Sequence, residues 1–138
     1  MNIVLDTNVL VAGLLTPFGT CGEIVRMVSS AELILALDAR ILTEYREVLG
    51  RPKFKFETDK VSALLAHIEY RGLTVAASPL LLPLPDIDDE PFLEVAVAAR
   101  VECLVTGNLV HFPVESRQGV TVLSPGDFLA YYRRQGSV

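Results

Sequence analysis

Residues 3–10, IVLDTNVL, are the stretch that decides the fold. Ile3–Leu5 is a short apolar run that predicts a buried β-strand, and this run ends abruptly at the carboxylate of Asp6. An unpaired charge is costly to bury, so an aspartate in this position needs a partner. Two interpretations are open: Asp6 caps the helix that follows, or its carboxylate faces a cation.

Outward from this strand, short apolar runs alternate with amphipathic stretches along the whole chain. The apolar runs predict strands at 3–5, 33–37, 73–77, 103–106 and 120–123. The amphipathic stretches predict helices at 9–15, 22–30, 39–50, 59–72, 90–100 and 125–134. The predicted helix caps are Thr20, Thr58, and either Asp88 or Asp89. The proline-rich segment SPLLLPLP, residues 78–85, is expected to be irregular.

The strands are apolar throughout, which is typical of a parallel sheet with helices on both faces. We therefore expect a three-layer α/β/α sandwich with a central, mainly parallel sheet, in a single domain spanning residues 1–138. No apolar run approaches the ~20 residues that cross a bilayer. The N-terminus also lacks the basic region of a signal peptide. A cytoplasmic protein that does not associate with membranes is therefore expected.

A net charge of −5 is unfavourable for binding nucleic acid by bulk attraction, so such binding would need a local basic patch or bound cations. A basic, aromatic segment, RPKFKF, lies at residues 51–56. Together with the preceding helix it supplies four candidate RNA-binding residues: Arg46, Arg51, Lys53 and Lys55. This segment either faces phosphates, with its phenylalanines stacking on bases, or is a solvated loop.

Ligands of open α/β folds bind beyond the carboxyl ends of the strands, and acidic residues are concentrated there. The candidates at this edge are Asp6, Glu44, Asp86, Asp88, Asp89, Glu90 and the amide Asn108. Crowded carboxylates raise one another's pKa unless a cation neutralises them, and ligand sets made only of oxygen suit Mg²⁺ or Mn²⁺. Such a site can support phosphodiester hydrolysis.

Each candidate also has a structural interpretation. Glu44 could be a surface acid paired with Arg40, four residues earlier, and at least one acid of the 86–90 group is expected to be a helix cap. His111, in the loop beside Asn108, is either a structural histidine, which is the favoured interpretation, or part of the candidate site.

Four blocks, LDTNVLVAGLL, LTEYREVL, DIDDEPFLEVAVAA and LVTGNLVHFP, resemble in their order the PIN-domain family. They are most similar to the VapC-like toxin components of bacterial and archaeal toxin–antitoxin pairs. The resemblance covers residues 2 to about 129 and implies an α/β/α sandwich with Mg²⁺- or Mn²⁺-dependent ribonuclease activity. It also implies an RNA substrate, a small antitoxin as partner, and a homodimer.

The resemblance places the catalytic positions on Asp6, Glu44, Asp89 and Asn108, of which the first three would ligate the metal. Asn8, Asp86 and Thr106 would be auxiliary. The family commonly has a further acid where this chain has Asn108, and an amide oxygen brings no charge. The alternative is therefore a catalytically weak or inactive PIN-like domain that binds RNA or protein. A phosphatase of the haloacid dehalogenase type is disfavoured, because Asn8 stands where its proton donor would be.

Overall fold

The computed structural model describes residues 1–136, and within them it forms one five-stranded sheet in which all neighbouring strands are parallel. The strands are β1 (Asn2–Leu5), β2 (Ile34–Leu37), β3 (Leu73–Thr74), β4 (Cys103–Val105) and β5 (Val122–Leu123). Their order is β3-β2-β1-β4-β5, so β1 is central, and its Ile3–Leu5 segment is completely buried. The predicted α/β/α architecture with a parallel sheet is confirmed.

Six helices pack around this sheet in the described part of the chain. They are α1 (Thr7–Leu15), α2 (Thr20–Ser29), α3 (Ala39–Leu49), α4 (Thr58–Arg71), α5 (Glu90–Ala99) and α6 (Pro125–Gln135). Short 3₁₀ turns lie at Pro52–Phe54, Ile87–Asp89, Leu109–His111 and Val114–Ser116. The core contains apolar side chains from the strands together with the buried faces of the helices.

Several predicted helix ends were wrong by one or two residues. α1 begins at Thr7, directly after Asp6, rather than at residue 9. Thr20 and Thr58 are the first residues of α2 and α4, and the N-cap positions belong to Gly19 and Glu57. Neither Asp88 nor Asp89 caps α5 with its side chain. The aspartate that caps in this region is Asp86, which holds the 3₁₀ turn before α5.

The third strand is much shorter than the predicted 73–77. β3 lies at the edge of the sheet and pairs only with β2, Ala36 with Leu73 and Leu37 with Thr74. Because β2 ends at Leu37, the last backbone bond in this direction is from Val75 N–H to the Leu37 carbonyl, at 3.1 Å. β5 likewise begins at 122 rather than 120, since Val120 N–H bonds to Arg117 in a turn.

Helices α1 and α2 meet at an angle of 105° and approach closely. A β-carbon at Gly22 would lie 2.0 Å from the Pro17 carbonyl oxygen, and one at Gly13 would lie 2.7 Å from that of Cys21, so this crossing requires both glycines. Among the described residues no single helix is long and apolar enough to span a membrane, although α1 and α2 pass that test of length and composition as a bent pair.

The proline-rich segment, residues 78–85, forms neither helix nor strand, as predicted. Its end at Leu84 is buried, but Leu81 is 84% exposed. The Leu81 N–H donates to Gln118 Oε1 at 2.8 Å, so this segment contacts the turn that precedes β5.

Candidate active site

Asp6 lies at the carboxyl end of the central strand, where its backbone N–H donates to the Val105 carbonyl of β4 at 2.9 Å. Its side chain is nearly buried, with 6% exposed. Asp6 Oδ2 accepts hydrogen bonds from Thr106 Oγ1 at 2.8 Å and from Asn8 Nδ2 at 3.4 Å. Asp6 occupies the N-cap position of α1, but within residues 1–136 its side chain accepts no capping hydrogen bond. The simple cap interpretation therefore does not account for this carboxylate.

A small polar network fixes Asp6 between the start of α1 and the end of β4. The fully buried Thr106 hydroxyl donates to Asp6 and accepts the Asn108 N–H at 3.0 Å. Across the same junction, Asn8 Oδ1 accepts the Gly107 N–H at 3.1 Å. Thr106 and Asn8 therefore both contact Asp6 with their side chains, whereas Asn108 takes part only through its backbone N–H and is exposed.

Glu44 faces the same junction from the middle of α3. Its Oε2 accepts a hydrogen bond from the hydroxyl of Thr7, the first residue of α1. The pairing of Glu44 with Arg40 was wrong, because Arg40 instead contacts Asp38 at 2.8 Å and Glu94 at 2.7 Å. Arg40 lies in the first turn of α3 and reaches across to α5, while Glu44 lies one turn further along and faces α1.

Asp89 enters from the turn before α5. Its Oδ2 lies 2.9 Å from His111 Nδ1, and its side chain is mostly buried. His111 was interpreted as a structural histidine, yet it contacts a candidate catalytic carboxylate. The available signal was its place in the block LVTGNLVHFP, five residues after Thr106.

Glu94 was also missed. It is a carboxylate 9% exposed among the apolar residues of α5, and its ion pair with Arg40 joins α5 to α3. An acid at a core-facing position of an otherwise apolar helix was the signal for a buried pair.

The three carboxylates are electrostatically coupled. Burial raises the pKa of Asp6, and the negative charge of Asp89 adds to that rise, although the Thr106 hydrogen bond opposes it. Burial likewise raises the pKa of Glu44, with a further contribution from Asp6. The pKa of Asp89 is raised by burial and by Asp86 and Glu44, and it is lowered in part by His111. Side chains from three separate elements therefore share one electrostatic environment.

The remaining acids of the 86–90 group have other roles. Asp86 is exposed, and its Oδ1 accepts the Asp88 N–H at 2.9 Å. Asp86 therefore stabilises the turn that presents Asp89, and it contributes to the raised pKa of Asp89. Glu90 Oε2 accepts the Leu84 N–H at 3.0 Å, which ties the proline-rich segment to the start of α5.

A hard divalent cation fits this donor set by its chemistry, because the carboxylates of Asp6, Glu44 and Asp89 offer only oxygen. Within residues 1–136, no group of three or more His, Cys, Asp or Glu side chains is arranged closely enough to hold a metal ion. Glu44 and Asp89 are instead engaged by Thr7 and His111. The site therefore offers suitable ligands rather than a preformed coordination shell.

The predicted RNA-binding residues lie in the last turn of α3 and in the segment that follows it. Arg46, Arg51 and Lys55 line a cavity of about 520 Å³ between α3 and α4. Arg51 pairs with Glu47 at 3.1 Å, and Lys53 Nζ lies 5.1 Å from the centroid of the Phe54 ring. Within the RPKFKF segment, Pro52–Phe54 form a 3₁₀ turn, and the basic residues Arg51, Lys53 and Lys55 are exposed to solvent.

Comparison with known protein families identifies a family for most of the chain. The family model described as a PIN domain matches residues 2–110, which include all of the acidic residues discussed above. No curated protein and no solved structure shows significant similarity to the chain. The matched region covers most of the 138 residues and contains β1 through β4. The chain therefore belongs to the PIN-domain family, whose members are generally nucleases and typically use divalent metal ions.

Proposed function

We propose that this protein is a Mg²⁺- or Mn²⁺-dependent endoribonuclease that hydrolyses RNA phosphodiester bonds. The observation that carries the proposal is the coupling of the Asp6, Glu44 and Asp89 carboxylates at the carboxyl end of the central strand. Acids that raise one another's pKa are suited to share a cation, and PIN-domain nucleases typically require one.

Asp6 and Asp89 would hold the cation, with Glu44 contributing through water. When bound, a divalent cation stabilises negative charge on the phosphodiester and favours deprotonation of a nearby water. The chain's own residues position these ligands. Thr106 orients the Asp6 carboxylate, and the Thr7 hydroxyl orients Glu44.

His111 has a comparable role toward Asp89. Its ring nitrogen holds Asp89 Oδ2 at 2.9 Å, and the imidazole is partly exposed at the rim of the site. A histidine in this position can also donate a proton to a departing oxygen.

The proposal is tested by incubating a labelled single-stranded RNA with the pure protein in Mg²⁺, in Mn²⁺ and in EDTA. Wild type is expected to cleave only with metal. Asp6→Asn should lose cleavage by about 100-fold or more, because the substitution removes the charge of the central ligand. Asp59→Asn, which changes an exposed acid in the first turn of α4, is the matched control and should keep full activity.

A second candidate function is a PIN-like domain that binds RNA or protein and cleaves weakly or not at all. The observation in its favour is Asn108, a neutral and exposed residue where the family commonly has a further acid. Wild type that binds Mn²⁺ and RNA but leaves every RNA uncut would favour this alternative over the nuclease.

We further propose that the protein acts in the cytoplasm as the toxin of a toxin–antitoxin pair. The support is the resemblance of its four sequence blocks to VapC-like toxins. Inducing wild type in bacterial cells is then expected to arrest growth, whereas Asp6→Asn at equal abundance should not. Growth arrest by both proteins, or by neither, would contradict the toxin role.

A homodimer is the proposed assembly. Exposed apolar side chains support it. They lie on two segments, residues 81–87 and 110–118, which contact each other through the hydrogen bond between Leu81 and Gln118. The residues concerned are Leu81, Leu82, Ile87, Val110 and Val114. Light scattering after size exclusion should give twice the 15.1 kDa chain mass, and a monomer at micromolar concentration would contradict the dimer.

A further inference from the structure

We propose that the cavity between α3 and α4 binds a base of single-stranded RNA, while the basic side chains at its rim hold the flanking phosphates. This inference rests on the proposed function, since it assigns a binding subsite to the same RNA substrate. It concerns a surface separate from the acids, so the two can fail independently.

The charge distribution of the chain singles out this region. Five of the 12 basic residues lie between residues 46 and 60, against three acidic ones, although the whole chain carries a net charge of −5. The five are Arg46, Arg51, Lys53, Lys55 and Lys60. An acidic protein that binds a polyanion needs such a local excess of positive charge, because affinity for phosphates depends on basic contacts.

The cavity itself has the size and lining of a small-ligand site. Its volume is about 520 Å³, within the range of roughly 300–1,000 Å³ that is common for such sites. Leu49, Phe56 and Leu65 supply apolar lining, and Arg46, Arg51 and Lys55 are the basic residues of its wall. A flat apolar base bearing a phosphate combines the two kinds of contact that this lining offers.

An aromatic stack borders the cavity. The Phe54 and Phe56 rings lie 5.4 Å apart at an interplanar angle of 13°, and Phe56 also lines the cavity. Proteins that bind single strands commonly place bases against aromatic side chains beside a basic groove. Duplex bases are already stacked and paired, so a concave subsite of this kind selects an unpaired strand.

Helix α3 connects this subsite to the candidate active site. Glu44 lies two residues before Arg46 on the same helix, and Arg51 follows the helix end. With a rise of 1.5 Å per residue, the backbone distance from Glu44 to Arg51 is about 10 Å. A strand of a few nucleotides is therefore long enough to reach from the acids to the cavity.

The test measures binding of a fluorescent single-stranded oligouridylate by anisotropy in EDTA, where no metal-dependent cleavage occurs. Two variants probe the two contacts: Lys55→Ala removes a rim charge, and Phe56→Leu removes the ring while keeping apolar volume against the core. Arg71→Ala is the matched control, since Arg71 is exposed at the far end of α4, about 20 Å from Thr58. Thermal melts establish that each variant is folded.

Lys55→Ala should weaken binding and reduce the slope of log Kd against log salt by about 0.7, the value for one lost phosphate contact on a single strand. Phe56→Leu should raise Kd by about fivefold or more without changing that slope. Arg71→Ala should change neither. Inorganic polyphosphate, which has charges but no bases, should respond to Lys55→Ala and not to Phe56→Leu.

The inference would be overturned if Phe56→Leu bound the single strand with wild-type affinity, or if Lys55→Ala and Arg71→Ala lost affinity equally. A duplex that binds as tightly as the single strand would also overturn it. These outcomes are separable from the proposed function. RNA cleavage with an unchanged KM in Phe56→Leu would retain the nuclease and reject the subsite. Ring-dependent binding without cleavage would retain the subsite and reject the nuclease.

Discussion

The Arg40–Glu94 ion pair links the helix that carries Glu44 to the helix that follows Asp89. Arg40 Nη1 lies 2.7 Å from Glu94 Oε1, and the side chains of the two residues are 48% and 11% exposed. Removing one partner of a fully buried pair costs about 3–5 kcal/mol, because the other charge is left without compensation. Since half of Arg40 is in water, we expect Arg40→Ala to cost about 2 kcal/mol.

This loss corresponds to a large shift in melting temperature. A domain of this length has an unfolding entropy of about 0.3 kcal/mol/K, so Tm should fall by about 7 °C. Circular dichroism melts of Arg40→Ala and of the exposed control Arg71→Ala measure the difference. The cap of α3 survives the substitution, because Asp38 Oδ1 still accepts the Ile41 N–H.

A double-mutant cycle separates the ion pair from other losses. Glu94→Gln removes the charge and keeps the side-chain shape, so in the Arg40→Ala background it should recover about 1 kcal/mol or more. The reasoning is refuted if the effects of Arg40→Ala and Glu94→Gln add to within about 0.5 kcal/mol, or if Arg40→Ala melts like wild type.

Three further predictions concern the site and its support. Folding raises the pKa of Asp6, Glu44 and Asp89 above their ordinary values of 3.8 and 4.5, so the folded protein binds more protons than the unfolded chain. In EDTA, the contribution of these groups to the free energy of unfolding is then greatest below about pH 4 and falls as pH rises through the raised pKa values. Urea titrations from pH 4 to 7 should show a smaller fall in the free energy of unfolding for Asp6→Asn than for wild type. An identical dependence on pH in the two proteins would contradict this. Tyr45→Phe should cost about 1 kcal/mol in the same assay, because the fully buried Tyr45 hydroxyl donates to the Leu5 carbonyl at 2.5 Å, and an unchanged urea midpoint would count against that bond. Asn108→Asp should lower the Mn²⁺ concentration at which half-maximal thermal stabilisation is reached, since it adds a charged oxygen beside Thr106; a higher concentration would place residue 108 outside the metal site.

The architecture was predictable because apolar strands and amphipathic helices are local patterns. Ile3–Leu5 is a buried strand in the structure as in the sequence prediction, and Asp6 follows it at the carboxyl end of the sheet. The length of β3 was not predictable, because it depends on where its partner β2 ends.

The site was predictable as a set of acids, but its contacts were not. The contacts join residues that are far apart in the sequence. Thr7 and Glu44 are 37 positions apart, Asp89 and His111 are 22 apart, and Arg40 and Glu94 are 54 apart. Only tertiary packing brings these residues together, so no local pattern could pair them. The predicted Glu44–Arg40 pair was wrong for this reason. Helical spacing indicates which residues of one helix can meet, but it does not indicate which partners the neighbouring helices supply.

The most direct test of the central claim is a thermal melt of wild type and Asp6→Asn with and without Mn²⁺ at pH 7. At a free concentration 100 times the dissociation constant, bound metal adds about 2.7 kcal/mol, which raises Tm by about 9 °C. Wild type should show this rise, and Asp6→Asn should not. Equal shifts in both proteins, or none in wild type, would contradict a metal site built on Asp6.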